Sequence, residues 1–137
     1  MIESSPQVTA WLSVLLGAWL LAGGLGAIAR GNLWPEIVAD FERSPALVAI
    51  TGAVAFAVGA LIVTFHNLWT SPAAIIVSAA GWMAVLEGLT LLAVPDLWLR
   101  LARAVMKGAK IWGVVMLVLG AFLLSSALVA QPLAPNL

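Results

Sequence analysis

The chain has 137 residues, of which 64% are apolar and only 9% charged, and six Lys/Arg balance six Asp/Glu. Soluble domains run at roughly 45–50% apolar and about 25% charged, and a fold of this size leaves roughly 30% of its chain surface in water. The composition therefore excludes an ordinary soluble enzyme, a nucleic-acid binder and a disordered chain, and points to an integral membrane protein in contact with the lipid bilayer.

Four segments reach the roughly 20 apolar residues that a spanning helix needs. The first is 8–29, closed by Arg30-Gly31-Asn32. Its Ala27-Ile28-Ala29 has the small-x-small look of a cleavage site. However, no Lys or Arg precedes it, and the apolar run exceeds the roughly 7–15 residues of a signal h-region, so it reads as a retained span. The connection 31–44 carries Trp34, Pro35, Glu36, Asp40, Glu42 and Arg43, with Ile37, Val38 and Phe41 at i, i+1, i+4. It has the pattern of a short amphipathic helix in the interface, although an ordinary polar loop is the simpler reading.

The second span is 47–65, entered through Ser44-Pro45 and closed by His66-Asn67; the third is 73–94, between Ser71-Pro72 and Pro95-Asp96. Both Ser-Pro pairs predict helix starts, with a capping hydroxyl and proline in the first turn. The connection 95–110 places Leu97, Trp98, Leu101 and Val105 at i, i+1, i+4, i+8 against Arg100, Arg103 and Lys107, and predicts an interfacial helix. The fourth span, 111–130, ends at Gln131-Pro132.

Every basic residue (Arg30, Arg43, Arg100, Arg103, Lys107, Lys110) lies in the two longer connections. The positive-inside rule then places 30–46 and 95–110 in the cytoplasm and both termini outside, periplasmic in a bacterial inner membrane. Trp11 and Trp69 fall at the outer interface and Trp34, Trp98 and Trp112 at the inner one. Trp19 and Trp82 sit within spans and call for a packing explanation.

The halves resemble each other. Gly17 and Gly24 recur as Gly81 and Gly88, offset by 64, and Gly52 and Gly59 as Gly113 and Gly120, offset by 61. Two spans per unit restore the starting orientation, so the repeats, about 8–65 and 73–130, are expected to be parallel. The predicted fold is all-α: a single membrane domain, a four-helix bundle of two helical-hairpin repeats with short interfacial helices. The small-residue stripes Ala49-Ala53-Ala57 and Ala80-Ala84-Gly88 are expected to pack inside that bundle.

Asp40-Phe41, Pro45, Gly52, Gly59, His66-Asn67-Leu68-Trp69, Gly81-Trp82, Gly88 and Pro95 resemble a family of small bacterial four-span membrane proteins with a His-Asn-x-Trp turn. Leu86-Glu87-Gly88-Leu89 with Pro95 and Trp98 is similar to the YjeT-like two-span proteins. The resemblance implies an architecture and no activity.

Few residues can carry chemistry. With no cysteine and one histidine, neither a thiolate site nor a His-rich metal site is expected, and no cofactor is. His66 and Asn67 read as a polar latch: Asn67 capping a helix end, His66 donating to a turn carbonyl or binding a partner, with Trp69 beside them. A plain interfacial cap is the alternative. Glu87 is the one acid inside a span and so a candidate by default, about 10 Å from the near boundary at 1.5 Å per residue. It is expected to face another helix, with Thr51 as neighbour and Lys110 within snorkelling reach. The functional expectation is a non-catalytic accessory or scaffold protein, working in a larger membrane complex or as a homo-oligomer. The alternative is a proton-coupled transporter or oligomeric pore using Glu87. No nucleophile–base pair supports an enzyme, since His66 and Glu87 fall near opposite faces.

Overall fold

The computed structural model describes residues 6–130, all in helices and short connections: α1 (Pro6–Ala29), α2 (Leu33–Arg43), α3 (Pro45–Phe65), α4 (Pro72–Ala93), α5 (Pro95–Met106) and α6 (Ala109–Ala130). Helices α1, α3, α4 and α6 are long and apolar enough to cross a membrane. The helix starts follow the local chemistry. Ser44 Oγ accepts from Leu47 N–H and Ser71 Oγ accepts from Ala74 N–H, each at 3.2 Å, with proline in the first turn. The expected stop at Gln131-Pro132 lies outside the described residues.

The four long helices pack as two antiparallel pairs, α1 with α6 and α3 with α4, with lesser contact between the pairs, chiefly α1 on α4. This corrects the expectation of hairpin units made within each half of the sequence. Helix α1 is not packed on α3, and each tight pair joins one span from each half. Glycine explains the choice. Gly17 and Gly24 of α1 meet Gly120 and Gly113 of α6, while Gly52 and Gly59 of α3 meet Gly88 and Gly81 of α4. Seven residues is almost two full helical turns, so each glycine pair lies on one face. A Cβ on Gly59 would stand 2.5 Å from Val85 N and 2.7 Å from Gly81 O, and one on Gly24 would stand 2.7 Å from Gly113 O. Backbones this close exclude any side chain, and dispersion across them drives association where lipid tails offer no hydrophobic gain.

The small-residue stripes behave differently from expectation. Gly88 is buried and Ala80 and Ala84 half-buried, but Ala49, Ala53 and Ala57 are all exposed. Helix α3 presents Val48, Gly52 and Gly59 to α4, and the alanines lie off that face.

Both connections at one end of the molecule are helical. The polar-loop reading of 31–44 is therefore corrected. Leu33, Trp34, Ile37, Val38 and Phe41 give α2 an apolar stripe at helical spacing, and α5 supplies a surface to bury it. Val38 and Phe41 of α2 and Leu99 of α5 form one cluster with Val48 of α3 and Leu91 of α4. Phe41 and Trp98 meet edge-to-face at 5.6 Å. Arg103 adds an ion pair to Glu42 at 3.2 Å. Arg103 is largely and Glu42 partly exposed, so the pair orients the two helices more than it stabilises them.

Candidate functional site

The polar groups of the opposite end converge on His66. It is the C-cap of α3, and its backbone N–H donates to Ile62 O at 2.6 Å. Its side chain is fully buried, with Nε2 2.8 Å from Thr9 Oγ1 of α1 and Nδ1 3.1 Å from Ser78 Oγ of α4. One imidazole thus ties three spans together, including the main contact between the two helix pairs.

The hydrogen-bond directions follow from Ser78. Its hydroxyl accepts from Leu68 N–H at 3.0 Å and lies 2.8 Å from Leu68 O, which can only accept. The single hydroxyl proton is therefore spent on Leu68 O, and Ser78 Oγ must accept from His66. This puts the imidazole proton on Nδ1 and leaves Nε2 bare, so Thr9 donates its hydroxyl proton to Nε2. Burial outweighs a backbone hydrogen bond and holds the His66 pKa below its ordinary 6.5, which favours the neutral ring over the imidazolium.

Of the residues predicted as a latch, His66 is one, but it bonds Thr9 and Ser78 and not a turn carbonyl. Asn67 caps no helix. Its Oδ1 accepts from the indole N–H of Trp69 at 2.9 Å and from that of Trp82 at 3.4 Å. That bond is what Trp82, within its span, is placed to make. Thr9 and Ser78 were not legible as site residues, since a lone hydroxyl in a span is unremarkable. The available signal was that Thr9, His66 and Ser78 fall at the same end of three successive spans.

Beside this cluster a cleft of about 620 Å³ opens between the ends of α1, α4 and α6. Thr9, Ala10 and Ser13 form one wall, Ala74 another, and Phe122 and Ser126 a third; none of the described residues lining it is charged. Ser13 is buried and its hydroxyl has no hydrogen-bond partner.

Glu87 and Thr51 belong to neither feature. Glu87 is exposed on α4, with Trp98 of α5 as its polar neighbour, and shares no hydrogen bond with Thr51. Lys110 is beside Gly31, at the foot of the other helix pair. Glu87 thus meets a helix of its own chain, α5, through Trp98, where Thr51 and Lys110 were the expected neighbours. Gly88 occupies the crossing with α3, and the preceding residue is turned about 100° away from it. Among the described residues no group of three His, Asp or Glu could hold a metal ion. No protein family, curated protein or solved structure matches the chain. The likeness to small four-span families therefore stands on the quoted residues alone.

Proposed function

We propose that this protein is a non-catalytic accessory component of a bacterial inner membrane, built to bind another spanning helix. The observation that carries this reading is Glu87. An acid within a span costs roughly 2.5–3.5 kcal/mol at mid-bilayer and less toward the edge, and intramembrane acids ordinarily turn inward. This one is exposed on α4 beside Trp82, Met83 and Leu86, which are themselves exposed. Trp98 of α5 meets the carboxyl from within the chain, and the exposed remainder of the face is open to a partner helix bearing a donor at the same depth, from a second protein or another copy of this chain. The α2/α5 end, which holds every Lys and Arg, is read as cytoplasmic, with both chain ends on the far side.

Photo-crosslinking from Met83 and Leu86 in native membranes tests the proposal. A discrete cross-linked species is expected, kept in Glu87→Gln, which preserves shape and hydrogen bonds, and lost in Glu87→Leu. If instead the purified protein moves protons across liposomes and Glu87→Gln abolishes that flux, the accessory reading fails and a proton-coupled transporter takes its place.

A further inference from the structure

The cations of the α2/α5 end divide into two kinds. The connections 30–46 and 95–110 hold six basic residues against four acids. Arg43 pairs with Asp40 and Arg103 with Glu42. Among the described residues Arg30, Arg100, Lys107 and Lys110 form no ion pair, and neither does Glu36, the acid nearest Arg30 in the sequence. Two of these unpaired cations come together at the foot of the α1/α6 pair. Arg30 follows the last residue of α1, and its backbone is fixed there: its N–H donates to Gly26 O and its carbonyl accepts from Leu33 N–H, each at 2.9 Å. Lys110 lies in the first turn of α6 and its stem crosses Gly31, with Cε 3.7 Å from where a Cβ of that glycine would stand. That carbon carries the ammonium, so the charge stands beside the Arg30–Gly31 peptide. Both residues are exposed. Like charges this near repel, and an anion between them offsets the repulsion. The surface next to them is apolar. On α6, Lys110, Val114 and Val118 are four residues apart, so they form one row, and all are exposed. A cation thus heads a lipid-facing apolar strip, with Trp112, also exposed, at the same level.

We propose that the foot of the α1/α6 pair binds the phosphate of an acidic glycerophospholipid, with Arg30 and Lys110 on its oxygens and an acyl chain along Val114 and Val118. A guanidinium fork matches two phosphate oxygens, and the lysine adds a mobile point charge. Free phosphate would meet the same two cations but leave the apolar row unused, whereas a lipid engages both. Lys107, three residues before Lys110 and also exposed, adds a third positive charge on the approach to the span. A headgroup ending in an ammonium is repelled by it and one ending in hydroxyls is not, so phosphatidylglycerol fits and phosphatidylcholine does not. The contact requires neither Glu87 nor a particular leaflet.

The full-length protein in phosphatidylcholine nanodiscs, doped with a phosphatidylglycerol that carries a diazirine near the head of one acyl chain, tests this. Adducts are expected in the peptides covering residues 25–34 and 107–118, competed by unlabelled phosphatidylglycerol. A phosphatidylcholine with the same diazirine is expected to label all four spans evenly. Lys110→Gln is expected to lower the phosphatidylglycerol labelling about fivefold, the weight of one basic residue at an anionic lipid surface. Arg30→Gln combined with Lys110→Gln is expected to abolish the difference between the two probes. Arg43→Gln removes the same charge from an ion pair on α2 and is expected to leave the labelling unchanged. All three side chains are exposed, so the fold is retained. Equal falls in Arg43→Gln and Lys110→Gln would reduce the effect to diffuse surface charge and overturn the site. Phosphatidylglycerol labelling spread evenly over the spans, or competed by inorganic phosphate as effectively as by the lipid, would overturn the lipid assignment.

Discussion

His66 makes a contribution of definite sign to the pH behaviour of the molecule. Its folded pKa lies below the unfolded value of 6.5, so below that pH the unfolded chain takes up a proton that the folded chain resists. Stability is therefore fully present above pH 6.5 and falls as the pH drops toward the folded pKa. The described residues of α1 and α3 carry no ionisable group, and α4 carries only Glu87, nearer its other end. Among the described residues, no nearby charge compensates. Thermal melts of the purified protein between pH 7.5 and 5 are expected to show this loss. In His66→Asn the melting temperature is expected to be lower at pH 7.5, with the decline through this pH range largely removed; an unchanged slope would exclude His66 as its source. The histidine was visible as a candidate because a polar pair ends the second span. Its partners were not, since Thr9 is 57 residues away and sequence spacing says nothing about which helix ends meet.

At the scale of helices, the glycines determine which spans associate. Gly59→Val places side-chain carbons against the Val85 and Gly81 backbones, which cannot yield as a flexible side chain would. A loss of about 1–3 kcal/mol is expected, the usual range for overpacking. Ala57→Val, two residues away but exposed on the same helix, is expected to leave the melting temperature of the purified protein nearly unchanged. Comparable losses in both would mean that α3 packs through its alanine stripe after all. The seven-residue glycine spacing was legible in the sequence, and so were all four spans. The pairing was not, because a glycine face specifies close approach without naming the partner. Helix α2 was underread for a related reason. Its apolar stripe is short, and what makes it a stable helix is the complementary stripe of α5, about 60 residues on.

For the molecule as a whole, the two connecting helices and their cations share one end, opposite His66. With that end in the cytoplasm, an alkaline phosphatase fusion after residue 137 is expected to be active and one near residue 104 silent. The reverse pattern would invert the assignment. The two glycine crossings are alike in composition, each joining two glycines of one span to two of another. Exchanging α1 with α4 and α6 with α3 brings the same kind of glycine quartet together, consistent with offsets of 64 and 61.

The pairing of first span with last has a consequence for biosynthesis. Helices α3 and α4 are joined by a short turn and can associate as soon as both have left the ribosome, whereas α1 must wait for α6. Ala29 and Ala109 are 80 positions apart. At roughly 5–20 residues per second, α1 spends on the order of 4–16 s in the bilayer with its glycine face unfilled. During that interval its groove is open to any helix with small residues at matching spacing.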